Sequence, residues 1–169
     1  KFSDENSEVI QCIPMTYTID GISGINNTSI PNSQIPLALL QGNAGITSAN
    51  LYSTRGIQSI GGWDESLKSS QEYELMFRLW KAGKSFEIDL EPRAIIRERP
   101  SGQISQRNGL DKWIQLIKLR EQMLAEFLES AANDDAQKAA LYHSFFDKLR
   151  SLAKHDLDTA ANFYDRILR

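Results

Sequence analysis

The chain has 169 residues, enough for one domain or one and a half, and enough to bury a core without disulfide or metal staples. Its composition is 41% hydrophobic and 24% charged, and its formal net charge of −3 forces no basic face onto it, which argues against a nucleic-acid partner. Cys12 is the single cysteine, so no internal disulfide is possible, and the chain fits a reducing compartment.

In chain order, Glu8–Thr18 carries β-branched and aromatic residues in partial alternation and predicts a strand. Asp20–Pro36 is rich in Gly, Asn, Ser and Pro and predicts a long mobile loop. Its two Asn-x-Ser/Thr sequons, at Asn26 and Asn27, are read as loop polarity, because no secretory signal is in view. Gln41–Thr54 predicts a second short strand. Gly61-Gly62 breaks the chain before Trp63-Asp64-Glu65. Gln71–Ala82 predicts an amphipathic helix, with Leu75, Met76, Leu79 and Trp80 on one face and Gly83 as its stop. Ser85–Ile88 and Arg93–Arg97 follow as two short strands around Glu91-Pro92.

From about Asn108 the pattern is helical throughout. The first helix covers Leu110–Leu128, with Trp113, Ile117, Leu124, Phe127 and Leu128 as its stripe. A second starts behind the cap cluster Asn133-Asp134-Asp135 and carries Leu141, Phe145, Leu149 and Leu152. A third opens near Asp156 or Asp158 and carries Ala161, Tyr164 and Leu168. Short connections predict antiparallel packing. Lys112, Lys118 and Arg120 lie near one face, a weak basis for peripheral membrane contact. No apolar run approaches transmembrane length.

The stretch Gly56–Gly83 carries the chemistry. Ser69-Ser70-Gln71-Glu72 has the spacing of a capping box, so pattern alone reads Glu72 as a helix cap. A helix mouth also suits a carboxylate through its partial positive charge. Trp63 has the shape to stack on a sugar ring and Asp64 the oxygens to bind a hydroxyl; the bland alternatives are that Trp63 packs under the helix and Asp64 fixes its own turn. Arg78 is expected to pair with an acid one helical turn away. Asp156-Leu157-Asp158 spells Asp-x-Asp but reads as helix capping, and His143 and His155 have no partner at metal-ligand spacing.

Four segments resemble family 2 glycosyltransferases of the GT-A fold, in the right order. They are NSEVIQCIPMTYTIDG, LLQGNAGITSANLYSTRGIQSIGGWDESL, SSQEYELMFRLWKAG and IRERPSGQIS, and the resemblance spans roughly residues 2–107. The second is similar to the segment in which a strand and short helix deliver a Gly-Gly-aromatic-Asp-Glu turn. The third is similar to the helix whose first turn carries the catalytic acid. The resemblance implies an α/β fold (α+β within this chain): the acceptor-side half of a GT-A domain at 1–107, followed by a helical extension of about three helices at 108–169.

It further implies sugar transfer with inversion from a nucleotide-diphosphate sugar to the hydroxyl of a glycan or lipid-linked acceptor, with Glu72 as general base. Relatives usually carry an acid pair at the helix start; here Gln71 and Glu72 stand there, and Gln71 keeps only the capacity to orient a sugar hydroxyl. Gly62, Trp63 and Asp64 would line the substrate site. Arg99 stands where many relatives have a metal-binding His; arginine cannot ligate a metal, which leaves it either a diphosphate oxygen or the surface. A divalent Mg or Mn ion is implied for the whole enzyme, held by residues outside this chain.

The nucleotide-binding half would precede Lys1, so the chain is expected to be a piece, inactive alone, with exposed strand edges that favour a homodimer. By analogy the enzyme would serve bacterial surface-polysaccharide assembly in the cytoplasm, at the inner face of the membrane. The rival reading is a non-enzymatic helical interaction module on an α/β scaffold.

Overall fold

The computed structural model describes residues 9–18, 34–98 and 109–167. Along the chain these form β1 (Val9–Thr18), α1 (Ile35–Gln41), a 3₁₀ turn (Thr47–Ala49), β2 (Asn50–Tyr52), α2 (Thr54–Ser59), α3 (Gln71–Lys81), β3 (Phe86–Glu98), α4 (Leu110–Ser130), α5 (Asp135–Ala153) and α6 (Leu157–Ile167). The result is an α-rich mixed fold with one small sheet in the order β2-β1-β3. β1 runs antiparallel to β2, from Val9↔Tyr52 to Gln11↔Asn50, and parallel to β3, from Val9↔Phe86 to Thr18↔Glu98.

The two strands expected around Glu91-Pro92 are one. The register steps from Cys12↔Asp89 to Ile13↔Pro92 and then to Pro14↔Ala94, so β3 carries an irregularity there. Proline has no N–H for the ladder, which locally breaks the pattern without ending the strand, because β1 pairs on both sides of it.

α1 is a second departure. The expected loop ends at Pro36 and the expected strand starts at Gln41, with Leu37–Leu40 assigned to neither, yet Ile35–Gln41 is helical. Pro36 suits a first helical turn, where its missing N–H costs nothing. Gly42, at φ 73, closes the helix with its N–H turned back to the carbonyls of Ala38 and Leu39. Leu37, Ala38, Leu39 and Leu40 are all buried, so no polar face existed to reveal the helical period. Most of the long loop expected before it, residues 20–33, lies outside the described residues.

One core joins α1 and α3 to the three C-terminal helices. Leu39 and Leu40 of α1, Leu75 and Leu79 of α3, Phe127 of α4 and Phe145 of α5 belong to a single buried cluster. Trp80 meets Phe127 edge-on at 4.6 Å, which ties α3 to α4. The helical part therefore holds α3 from behind and fixes where its first turn points. α5 starts as expected, with the Asp134 carboxylate accepting from the Gln137 N–H at 2.8 Å. Asp156 likewise caps α6 through the Thr159 N–H at 3.0 Å, in keeping with the capping reading of Asp156-Leu157-Asp158.

α6 turns a different face inward from the one expected. Ala160 and Phe163 are buried, whereas Ala161 and Tyr164 are exposed and Leu168 lies outside the described residues. The two faces are neighbours on one apolar arc, since Phe163 and Tyr164 stand about 100° apart round the helix. Burying Phe163 removes a whole aromatic ring from water, while Tyr164 keeps its hydroxyl wet. Arg120 is a further correction. It is 2% exposed, so it cannot join Lys112 and Lys118 in a basic surface patch. Among the described residues, no helix is long and apolar enough to cross a membrane.

Candidate active site at the mouth of α3

The glycine elbow forms as a run of local necessities. Ser53 caps α2 by accepting from the Gly56 N–H at 3.1 Å. α2 then ends into Gly61 and Gly62, both left-handed at φ 84 and 81, a conformation that disfavours any residue with a Cβ by about 1–2 kcal/mol. Arg78 holds this turn from α3. It forks onto the Glu74 carboxylate at 2.5 and 2.7 Å, and donates to the carbonyls of Ile60 at 2.7 Å and Gly62 at 2.8 Å. The expected pairing of Arg78 one turn away is present, and the same guanidinium also fastens the elbow to the helix.

Beyond the glycines, Asp64 fixes its own turn, its Oδ1 accepting from the Ser66 N–H at 2.9 Å and hydroxyl at 2.6 Å. Those hydrogen bonds hold its carboxyl below the usual range. Trp63 is 39% exposed and sits edge-on to Tyr52 at 6.2 Å, so its ring is partly available to a ligand. Gln71 donates to the Leu67 carbonyl at 2.8 Å, which commits its amide nitrogen to the loop. Gly62 likewise has its carbonyl occupied by Arg78. Arg99 lies outside the described residues.

The capping box does not form. The cap is Ser70 rather than Ser69, and it sits left-handed at φ 59 with no side-chain cap hydrogen bond. The Ser69 hydroxyl is buried without a partner. The helix begins one residue later than the box requires, so the serine–glutamate spacing does not meet its mouth. Among the described residues the Glu72 carboxylate makes no hydrogen bond or ion pair. It is half-buried, in the first turn of α3, and acts electrostatically on Tyr52, Tyr73 and Arg120.

Those neighbours form a polar cluster that spacing in sequence did not reveal. The Arg120 Nε donates to the Leu40 carbonyl at 3.0 Å, and its guanidinium lies 5.2 Å from the centre of the Tyr73 ring. Burial pushes Arg120 down to about 10, against the pull of Tyr73 and Glu72, and it stays charged at neutral pH. Asn50 is buried and donates to the Ala44 carbonyl at 3.1 Å and to the Tyr52 hydroxyl at 3.3 Å. The cluster draws on β2, α3 and α4, elements that only tertiary packing brings together.

Tyr52 offers a direct check on this environment. Burial lifts its phenol from the ordinary 10.0 to about 12; the Asn50 hydrogen bond opposes the rise and the Glu72 charge adds to it. With the folded value above the unfolded one, Tyr52 contributes stability that is complete below pH 10 and lost as pH rises through about 12. Phenolate absorbance should show a step near pH 12 that vanishes in Tyr52→Phe. A Tyr52 step at the ordinary value would mean that the ring is solvated.

A cleft of ≈ 550 Å³ opens beside the elbow and is bounded by Asp64, Leu67 and Glu74 on one side and by α4 on the other. Glu72 is not part of its lining: two residues from Glu74, it lies about 200° round the helix axis from it. α3 thus presents one acid toward the β2 side and another, locked by Arg78, toward the cleft.

Among the described residues, no three His, Cys, Asp or Glu side chains converge on a point that would hold a metal ion. His155 instead stacks on Trp113 at 5.0 Å, and His143 lies 3.4 Å from Asp147. No known protein family, curated protein or solved structure matches this chain.

Proposed function

We propose that this chain is the acceptor-side part of an inverting glycosyltransferase of the GT-A type, and that Glu72 is its general base. The observation that carries the reading is the carboxylate of Glu72, half-exposed at the mouth of a helix whose entry turn is pinned by Arg78. A carboxylate that served as a cap or a structural ion pair would have a partner; this one has none among the described residues. The strand β2, the short helix α2 and the Gly-Gly-Trp-Asp-Glu turn lead to it in the order that the sequence resemblance implies.

In this reading the acceptor hydroxyl approaches Glu72. As its oxygen forms the new bond to the anomeric carbon, its proton passes to the Glu72 carboxylate, and the bond from that carbon to the diphosphate oxygen breaks. The diphosphate leaves with the electron pair. Tyr52 and Arg120 border the base, and Trp63 offers a ring face beside the turn. The donor's diphosphate and its divalent ion, Mg or Mn, would be held by a nucleotide-binding half. The described residues supply no ligand set for that ion, so no step here depends on one.

The direct test is transfer. The full-length protein is incubated with UDP-, GDP- and dTDP-sugars together with Mg or Mn, and nucleotide release is measured with and without glycan and lipid-linked acceptors. Acceptor-dependent release from one of these donors supports the reading. Release from none of them removes it, and leaves the helical interaction module. That second reading has its own observation: Leu157 is 69% exposed and, with Phe146 and Tyr164, lines an apolar groove on α5 and α6.

A further inference from the structure

The cleft between the Asp64–Leu67 turn and α4 has a lining with a definite chemical bias. Along α4, Asp111, Gln115, Lys118 and Gln122 fall at helical spacing on the face that borders it. Leu67, Ile114 and Leu119 supply apolar surface between them. Its ≈ 550 Å³ lies within the range of small-molecule sites.

We propose that this cleft is a binding site for a neutral carbohydrate chain. Each glutamine amide carries both donors and an acceptor, which suits the paired donor and acceptor character of a sugar hydroxyl. Gln115 spends one donor on the Ser69 carbonyl at 3.2 Å and keeps its oxygen for a ligand. The apolar strip matches the C–H face of a pyranose ring.

Charge narrows the ligand further. Glu74 is neutralised by Arg78, and Lys118 offsets one of the two remaining carboxylates, Asp64 and Asp111. The residual acidity opposes phosphates and carboxylates, so the site does not suit a nucleotide. It is also too small a charge to hold a polycation firmly, since Asp64 already accepts two hydrogen bonds from Ser66.

The ligand class rests on the glycosyltransferase reading, but the cleft lies across α3 from Glu72 and is a site separate from the base. Its occupancy is nevertheless measured without any transfer. The test is heteronuclear NMR on the full-length protein, titrated separately with maltotriose, cellotriose, di-N-acetylchitobiose, spermine and inorganic pyrophosphate. At least one of the three sugars should move the backbone amides of residues 64–67 and 111–122.

Gln122 is exposed, so Gln122→Leu leaves the fold intact, and it should weaken that sugar about fivefold, the loss expected for one hydrogen bond. Asp111→Ala, also at an exposed position, should weaken it similarly. The proposal is overturned if no sugar moves those amides, if both variants bind as the parent does, or if spermine or pyrophosphate moves them in place of a sugar. An inactive Glu72 variant that still binds the sugar would support it. A parent that transfers sugar yet shows no shift at these amides would sink this site and leave the base assignment standing.

Discussion

Glu72→Gln in the full-length protein should lower sugar transfer by about 10²–10⁴, the range found when a general base is removed. Its melting temperature should stay within a degree or two of the parent's. The argument for unchanged stability is the absence of partners: the carboxylate makes no hydrogen bond among the described residues, and the amide keeps its shape. What the substitution removes is the capacity to take a proton. A capping role predicts the reverse, with a lower melting temperature and transfer retained. So does a role for Glu72 as the counter-charge of Arg120, because removing the acid would leave a buried guanidinium less well compensated. Measuring initial rates and thermal unfolding on the same preparations separates the three. Transfer at the parental rate would end the assignment of Glu72 as base.

Much of the helical part was legible because its signals are local. Asp134 and Asp156 cap where a carboxylate three residues before a free N–H should cap, and Leu141, Phe145, Leu149 and Leu152 are buried at the period that marks a core face. A strand before the elbow and the break at Gly61-Gly62 were legible from their residues, whereas the short helix between them was expected only from the resemblance. α1 was illegible because a helix buried all round has no polar face, and its seven residues sit beside a polar stretch that mimics a loop.

The candidate site divides in the same way. Glu72, Gln71 and the elbow come from contiguous residues and were nameable from the sequence, although the spacing of Ser69 and Glu72 suggested a capping box that does not form, the cap being Ser70. Tyr52, Asn50 and Arg120 were not nameable. Asn50 and Tyr52 lie in a segment that reads as a strand without showing which of its side chains turn inward, and Arg120 sits among charged neighbours in a helix that looks amphipathic. Only the closure of α4 onto α1 and α3 turns that arginine inward. The orientation of α6 belongs to the same class. Phe163 and Tyr164 share one apolar arc of that helix, and only packing against the rest of the fold decides which of them is covered.

Arg120→Ala should destabilise the protein by about 2–4 kcal/mol. The residue joins α4 to the end of α1 through the Leu40 carbonyl at 3.0 Å and covers the Tyr73 ring, all at 2% exposure. Truncation leaves that carbonyl unpaired, at about 1–3 kcal/mol, and opens a void where the aliphatic stem lay. One term runs the other way. The guanidinium is held charged in a place that pushes it down to about 10, and its Nη1 has no hydrogen-bond partner, so removing it relieves a desolvation penalty. Arg120→Met separates these terms, because it keeps the stem volume while removing the charge. The methionine variant should therefore lose less than half of what alanine loses, at an unchanged urea m-value. Equal losses in the two variants would place the whole effect in the Leu40 hydrogen bond rather than in packing. A loss below about 1 kcal/mol in Arg120→Ala would mean that α4 does not depend on this residue to hold α1, and so does not fix the mouth of α3 through it.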